Sequence, residues 1–479
     1  MPITESELTI FALVYVFVEA LGFFAAIHAV MNAKTSQGAI AWGISLVTFP
    51  LLTLPLYAVF GRNKFHGYVS LRHIKDEKVH HIIDKCAMSA SESQVVQQNR
   101  TETETALTRL ADLPITGFNS SRLLIDGKET FESIFSAIDD AQEYILIEFF
   151  IIKDDELGRK LKNRLIRKAR ENVRVYFLYD EIGSLKLSNA YINDMEREGI
   201  ATSAFKSTQG RANRFQLNFR NHRKIVIIDG LRAFVGGHNV GNEYLSGHPR
   251  LGPWRDTHVD VSGPVVKAIQ FCFLEDWYWA VNEVPDFHWQ IQKAEGGEES
   301  ALLIASGPAD DLETCGLMFT QAINSAKDRI WIASPYFVPD WQIIAALKLA
   351  VLRGVDVRIL LPEKPDHRIV NLATFSFYSS IIPAGIKLYR YKPGFLHQKV
   401  FLVDHTCAAV GTANLDNRSF RLNFELTLLN FDKTFIKAVE DMLVQDFSNS
   451  RLATLDEYTS RWFPFRLAAR LAGLLSPIL

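Results

Sequence analysis

The chain has 479 residues, with 52 Lys+Arg against 54 Asp+Glu, and so carries a formal net charge of −2. At roughly 150 residues per domain, this length predicts two or three domains. An apolar fraction of 48% beside a charged fraction of 22% excludes a disordered or fibrous protein. The near-zero net charge also argues against a nucleic-acid-binding protein, because such proteins usually carry a basic excess.

The N-terminal region contains two long apolar stretches, at residues 8–30 and 38–60. Each is long enough to cross a bilayer, which takes about 20 apolar residues in a helix. A cleavable signal peptide is one alternative, but no basic segment precedes the first stretch and a second stretch follows at once. Two buried helices of a soluble domain are another alternative. We predict a transmembrane hairpin over residues 1–61, with Pro50 and Pro55 kinking its second helix.

Basic residues cluster after the second apolar stretch, whereas the turn between the stretches holds only Lys34. By the positive-inside rule, this asymmetry places the large C-terminal part in the cytoplasm. We therefore expect a multi-pass protein of the cell (inner) membrane. Residues 62–112 are polar and charged, and predict a juxtamembrane linker with a helical portion. The cluster consists of Arg62, Lys64, Arg72, Lys75 and Lys78.

The rest of the chain alternates helical and strand patterns, and the same order occurs twice. Such alternation is typical of an α/β sheet flanked by helices, and its recurrence indicates a duplicated domain. We predict two such domains, at residues 113–297 and 298–479. The predicted elements are helix 131–141, strand 144–152, helix 157–171 and strand 173–179, then helix 316–326, strand 329–334, helix 340–353 and strand 355–361.

One motif, H-x-K-x4-D-x6-G-x2-N, is present in both halves. Five residues match at identical spacing, and chance repetition has odds on the order of one in ten thousand at average residue frequencies. The first copy is His222, Lys224, Asp229, Gly236 and Asn239, and the second is His397, Lys399, Asp404, Gly411 and Asn414.

The spacing of this motif predicts a phosphate site. Along a strand, histidine and lysine two positions apart project from the same face and offer a nucleophile or acid beside a positive charge. A single copy is more simply a surface pair, but two copies related by a pseudo-twofold axis can place two histidines on one phosphorus atom. His222, His397, Lys224 and Lys399 are then the catalytic candidates.

The remaining motif residues have weaker assignments. Asp229 and Asp404 count among the catalytic candidates as members of the motif, although their place at the end of a strand favours a structural role in a turn. Asn239 and Asn414, together with the lysines, are placed to bind phosphate oxygens. Such a site needs no metal ion and no cofactor, and we expect neither.

The doubled motif resembles that of the phospholipase D superfamily and, within it, the bacterial cardiolipin synthases that carry a two-span membrane anchor. The resemblance extends over essentially the whole chain. It implies phosphatidyl transfer between two phosphatidylglycerol molecules through a covalent phosphohistidine, with His222 as nucleophile and His397 as general acid. It also suggests Asp256 and Glu425 as residues that orient the histidines. Matching segments are WRDTHV at 254–259, IASGP at 304–308, SPYFVPD at 334–340 and GFLHQK at 394–399.

Other activities of the same chemistry stay open at this point. A hydrolytic phospholipase D or a different phosphatidyltransferase is the second hypothesis, and a phosphodiester nuclease is a third, disfavoured by the net charge and the apolar N-terminus. We expect anionic phospholipids and a bilayer as partners, and no nucleic acid. Residues 462–475 predict a short interfacial helix, with a core-packing tail as the alternative. The cluster Arg211, Arg214, Arg220 and Arg223 suits either anionic headgroups or a solvated basic face.

Overall fold

The computed structural model of the chain describes residues 5–33, 35–61, 65, 68, 101–209 and 218–479. The chain forms two compact units, Met1–His73 with Ser207–Phe219, and Ile74–Lys206 with Arg220–Leu479. Most of the predicted linker and its basic cluster, together with Arg211 and Arg214, lie outside the described residues.

The first unit is built from the helices α1 (Glu5–Asn32), α2 (Ser36–Thr48) and α3 (Pro50–Phe60). Within the described part of the chain, one helix is long and apolar enough to cross a membrane, at Ser6–Asn32. The second predicted span is not one kinked helix, because α2 ends before Phe49 and a separate helix, α3, begins at Pro50. Proline lacks the N–H that would continue the first helix, but it is well suited to the first position of the next.

Small residues allow the helices of the first unit to pack closely. A Cβ at Gly22 would lie 2.4 Å from the carbonyl oxygen of Leu46, so only glycine allows this approach. Nδ1 of His28 is 2.8 Å from the hydroxyl oxygen of Tyr57. The large apolar side chains face outward instead; Phe11, for example, is 81% exposed. An apolar outer surface of this kind suits a lipid environment.

The described part of the second unit contains twenty strands and thirteen further α-helices. The strands are β1 Thr116–Ile125, β2 Tyr144–Phe149, β3 Arg174–Asp180, β4 Ala201–Phe205, β5 Arg220–Asn221, β6 Ile225–Ile228, β7 Arg232–Gly236, β8 Trp254–Arg255, β9 Thr257–Ser262, β10 Glu299–Ser306, β11 Arg329–Ala333, β12 Phe337–Val338, β13 Asp356–Pro362, β14 Lys387–Tyr391, β15 Phe395–Leu396, β16 Val400–Val403, β17 Cys407–Gly411, β18 Leu415–Asp416, β19 Asn423–Asn430 and β20 Ser450–Leu452. The helices are α4 Glu102–Ala111, α5 Asp126–Asp140, α6 Glu156–Arg170, α7 Asn189–Arg197, α8 Glu243–Ser246, α9 Val265–Val281, α10 Thr314–Ser325, α11 Trp341–Leu352, α12 Arg368–Ile381, α13 Asn417–Arg421, α14 Lys433–Ser448, α15 Asp456–Thr459 and α16 Phe463–Leu474.

The large sheet has the same strand order in both halves. From its centre outward, the first half runs β1-β9-β7-β6-β2-β3-β4 and the second runs β10-β19-β17-β16-β11-β13-β14, with β20 added at the second edge. Antiparallel pairing of β1 with β10 joins the halves. The sheet is mixed, since β2 pairs parallel with β3 but antiparallel with β6. The duplicated α/β fold predicted from the repeat is therefore confirmed.

Each half has its own apolar core between the sheet and its helices. In the first half, Phe131 and Leu161 pack from α5 and α6 against Ile147 of β2. In the second half, Leu347 of α11 packs against Ile359 of β13. Strand β2 is buried along its whole length, so its sequence is nearly continuously apolar, whereas β13 is partly exposed at Asp356 and Arg358. The two cores hold the sheet as a rigid support for the loops that follow its strands.

Candidate active site

The two motif histidines lie where short strands of the two halves pair with each other. Asn221 of β5 pairs in parallel with Phe424 of β19, and the backbone N–H of His222 donates to the carbonyl of Phe424 at 2.9 Å. In the same way β15 pairs in parallel with β8, and the N–H of His397 donates to the carbonyl of Arg255 at 2.8 Å. Each histidine is thus brought beside an acidic residue of the opposite half, Glu425 after Phe424 and Asp256 after Arg255.

The resulting histidine–carboxylate pairs cross between the halves. Nδ1 of His222 lies 2.8 Å from Oε2 of Glu425, and Nδ1 of His397 lies 2.7 Å from Oδ2 of Asp256. A carboxylate on Nδ1 holds the proton there and leaves Nε2 available for chemistry. Sequence analysis suggested Asp256 and Glu425 as orienting residues without assigning a histidine to either. The pairing of strands across the halves gives the assignment.

The two carboxylates have different surroundings. Burial opposes the charge of Glu425, but the attraction of His222 and further donors outweigh burial, so the pKa of Glu425 lies below its ordinary value. Asp256 has fewer donors, and burial raises its pKa. Glu425 therefore supports a positive charge on its histidine better than Asp256 does. The donors to Glu425 are Thr412 Oγ1 at 2.6 Å, Ser419 Oγ at 2.8 Å and Asn423 Nδ2 at 3.1 Å.

The residue after the motif glycine explains part of this difference. Thr412 of the second copy has a hydroxyl, which it donates to Glu425. At the equivalent position of the first copy, a Cβ on Gly237 would lie 2.0 Å from Oδ1 of Asp256. The glycine therefore leaves room for Asp256, and the residue in each copy fits the acid beside it.

Both motif lysines are buried beside their histidines. Nζ of Lys224 donates to the carbonyl oxygen of His222 at 2.6 Å, and Lys399 donates to that of His397. Burial lowers the pKa of Lys224 to about 7 and that of Lys399 to about 8. Burial likewise lowers the pKa of His222 to about 4, and lowers the pKa of His397 well below its ordinary value. At neutral pH both imidazoles are thus neutral, and the lysines supply the positive charge that favours a phosphate group.

Anion binding at this site should therefore weaken as the pH rises. The lysines titrate near 7 and 8 in the unliganded protein, and a bound dianion stabilises their protonated forms, so binding takes up protons above pH 7. For tungstate, whose charge is constant from pH 7 to 10, we expect Kd to rise by up to about tenfold per pH unit for each lysine. Calorimetry in two buffers of different ionisation enthalpy measures the proton uptake directly. A Kd that is flat over this range, or unchanged in Lys399→Met, would contradict the assignment.

The motif asparagines differ in their contacts. Oδ1 of Asn239 accepts the backbone N–H of Ile151 at 3.1 Å, and its Nδ2 donates to the hydroxyl of Tyr244 at 3.1 Å. Asn414 is equally buried, but its Oδ1 has no hydrogen-bond partner among the residues that the structure describes. A phosphate-binding role for both amides stays a prediction, and these contacts make Asn414 the less constrained of the two.

The motif aspartates stabilise turns, which agrees with the structural role considered in the sequence analysis. Asp229 and Asp404 have φ angles of 53° and 48°, in the left-handed region that a turn requires. The carboxylate of Asp229 accepts three backbone N–H groups, those of residues 142, 143 and 144. That of Asp404 accepts three in the same way, from residues 327, 328 and 329. These contacts support the structural role in a turn, and a catalytic role for the two aspartates stays a prediction.

The residue between the histidine and the lysine of each motif also has a structural role. Arg223 is fully buried, and its Nη1 donates to Oδ2 of Asp276 on α9 at 2.7 Å. The equivalent Gln398 donates to Oδ2 of Asp446 on α14 at 2.7 Å. The expectation that Arg223 belongs to a basic surface for headgroups was therefore wrong, because its charge is neutralised inside the protein. The sequence conceals this pairing, since the aspartates lie about 50 residues beyond the motifs.

Two aromatic residues of the site were missed by the sequence analysis. The ring of Phe150 packs edge-on against His222, with centroids 5.0 Å apart. The hydroxyl oxygen of Tyr244 lies 3.4 Å from Nδ1 of His397. Phe150 directly follows a buried strand and Tyr244 lies in the short helix α8, so neither has a periodic pattern that would have identified it.

A duplicated mixed sheet with one histidine–lysine pair from each half defines a protein of the phospholipase D superfamily. Residues 134–248 and 319–447 match the family described as "Cardiolipin synthase, PLD-like domain", and residues 20–62 match "Phospholipase_D-nuclease N-terminal". Cardiolipin synthase A of Pseudomonas putida is 47% identical over 470 residues, which cover 96% of each chain. Cardiolipin synthase A of Pseudomonas fluorescens is 48% identical over 478 residues and 98% of each chain. The chain belongs to the cardiolipin synthase family, and it is a phosphatidyltransferase of the phospholipase D superfamily.

A solved structure supports the fold independently of the sequence. The crystal structure of phosphatidylserine synthase from Haemophilus influenzae Rd KW20 matches with a TM-score of 0.59, covering 79% of this chain and 100% of that one. The sequence identity is 15%, so this similarity concerns the fold alone.

Proposed function

We propose that the protein transfers a phosphatidyl group from one phosphatidylglycerol molecule to another, giving cardiolipin and glycerol. The observation that carries this proposal is the crossed site, in which two buried histidines are each held at Nδ1 by an acid from the opposite half. Two buried lysines beside them supply positive charge for one phosphodiester.

In the first step, Nε2 of His222 attacks the phosphorus of the donor lipid. The P–N bond forms, the P–O bond to the glycerol headgroup breaks, and His397 gives a proton to the departing oxygen. The anionic phosphodiester raises the pKa of His397 when it binds, so that the imidazole carries this proton. Glu425 stabilises the positive charge on His222, while Lys224 and Lys399 neutralise the equatorial oxygens.

In the second step, the terminal hydroxyl of another phosphatidylglycerol is the nucleophile. It gives its proton to His397, and its oxygen attacks phosphorus as the P–N bond to His222 breaks. The products are cardiolipin and the free enzyme. His222 is the better nucleophile of the two histidines because its acid, Glu425, has the lowered pKa and the larger number of donors.

A membrane location supports transfer over hydrolysis, because it concentrates lipid alcohols at the site and limits water. We propose that the first unit crosses the membrane more than once, with α2 and α3 together forming the second pass, and that the second unit is cytoplasmic. The amphipathic helix α16 suits the bilayer interface. Its Ala469 and Ala472 are buried, whereas Trp462, Phe463 and Leu474 are 72%, 66% and 74% exposed.

Lipid turnover by the purified protein in phosphatidylglycerol vesicles tests this function. With a chelator present throughout, we expect cardiolipin and glycerol in equal amounts, and no requirement for an added metal ion or cofactor. Thin-layer chromatography of the lipids and an enzymatic glycerol assay measure both products. Phosphatidic acid as the main product would contradict the proposal and indicate a hydrolytic phospholipase D with the same site.

A further inference from the structure

The two halves of the active site differ at one pair of equivalent positions. In the first half, Ile152 forms a parallel β-bridge with Val240, and in the second half Phe337 pairs in the same way with Leu415. The residues that precede Ile152 and Phe337, at positions 151 and 336, are therefore equivalent. The first half has Ile151 there, and the second half has Tyr336. This position is therefore apolar in the first half and polar in the second.

Tyr336 belongs to a polar group that the mechanism above does not use. Its hydroxyl donates to Oδ2 of Asp366 at 2.7 Å, and the backbone N–H of His367 donates to Oδ1 of the same carboxylate at 2.7 Å. The side chain of Asp366 is 21% exposed, so the carboxylate still has room for another donor. Nε2 of His367 lies 3.5 Å from Oδ2 of Asp366, and this imidazole is mostly exposed.

Asp366 lies within electrostatic reach of the reacting groups. Burial lowers the pKa of both His397 and Lys399, and the negative charge of Asp366 acts on both in the opposite direction. The corresponding strand of the first half, β3, ends differently. Its last residue, Asp180, accepts the backbone N–H groups of residues 182, 183 and 221 and is committed to them. Asp366 of the second half is instead partly exposed and acts on the motif histidine and lysine of its own half.

The second half also contains an unused acceptor, since the buried Oδ1 of Asn414 has no partner among the described residues. Asn414 lies beside Tyr336, because Phe337 and Leu415, the residues that follow them, pair in parallel strands. The two acceptors, Asp366 and Asn414, suit a molecule that carries two neighbouring hydroxyl donors. We propose that Tyr336, Asp366 and Asn414 form the binding site for the glycerol headgroup, and that Asp366 selects a vicinal diol over a simple alcohol or water. One hydroxyl reacts through His397 while the other donates to the Asp366 carboxylate. This inference rests on the proposed function, because it assigns the subsite of the acceptor alcohol.

Competition between two alcohols tests the assignment. Vesicles of phosphatidylglycerol containing ethanol give cardiolipin from the diol acceptor and phosphatidylethanol from the simple alcohol. In Asp366→Ala we expect the ratio of cardiolipin to phosphatidylethanol to fall by at least about tenfold, because a site that hydrogen-bonds a hydroxyl discriminates strongly by it. Tyr336→Phe should shift the ratio in the same direction by less, since it removes only the hydroxyl that holds Asp366.

Two controls keep the outcomes distinct. Lys364→Ala changes an exposed residue of the same loop and should leave the ratio unchanged. Asp366→Asn keeps an acceptor for the N–H of His367 and replaces the alanine variant if that variant does not fold. A wild-type protein that forms neither product would contradict the proposed function itself. An Asp366 variant that forms both products at the wild-type ratio, whatever the total rate, would overturn the headgroup site and leave the function standing.

Discussion

Replacing His222 with alanine is expected to lower cardiolipin formation by at least about 10⁴-fold, because no other group can form the covalent intermediate. His397→Ala should be nearly as severe, since glycerol is then expelled without a proton and the acceptor hydroxyl is not deprotonated. The loss should appear in kcat with little change in KM, as both side chains act on the reacting atoms. Initial rates in phosphatidylglycerol vesicles measure it.

Mixing the two histidine variants provides the control. Both histidines belong to one chain and are joined by strand pairing within it, so an equimolar mixture should remain inactive. Recovery of activity on mixing would mean that the site forms between chains. Residual activity above about 1% in His222→Ala would contradict its role as the nucleophile.

Glu425→Gln should lower kcat by about 10³-fold, which is the largest effect that we expect after those of the two histidines. The amide cannot stabilise a positive His222, and its N–H₂ group opposes the donors Thr412 and Ser419. Asp256→Asn, the matched change at the other histidine, should lower kcat by less, because Asp256 has fewer hydrogen-bond donors than Glu425 and burial raises its pKa. Rates of the two variants, measured with their thermal stabilities, decide the order. Equal losses, or a larger loss for Asp256→Asn, would contradict the unequal roles of the two histidines.

The repeated motif carried most of what the sequence could predict. Its fixed spacing predicted histidine and lysine together in each half, although the two residues lie in a three-residue link between two short strands and not within one strand. The mostly apolar segment 144–149 marks a buried strand of the sheet. The turn role of Asp229 and Asp404 also followed from local chemistry, because an aspartate at a strand end is typical of a turn.

What the sequence could not show is which residues meet across the two halves. The pairs His222–Glu425 and His397–Asp256 join residues 203 and 141 positions apart, and no local pattern encodes the short strand pairs that bring them together. The burial of Arg223 was missed because its neutralising Asp276 lies 53 residues further along the chain, on α9 of the same half. At the N-terminus, hydropathy over 38–60 suggested one span, whereas the backbone chemistry of Pro50 divides it into two helices.

Trapping the covalent intermediate tests the central claim most directly. The protein is mixed with phosphatidylglycerol labelled in its phosphate, quenched in alkali within one turnover, digested, and the labelled peptide is sequenced by mass spectrometry. We predict an acid-labile phosphatidyl group on His222, absent from His222→Ala and formed more slowly in His397→Ala. Label on His397 would reverse the roles of the two histidines, and no label in an enzyme that still makes cardiolipin would contradict a covalent mechanism.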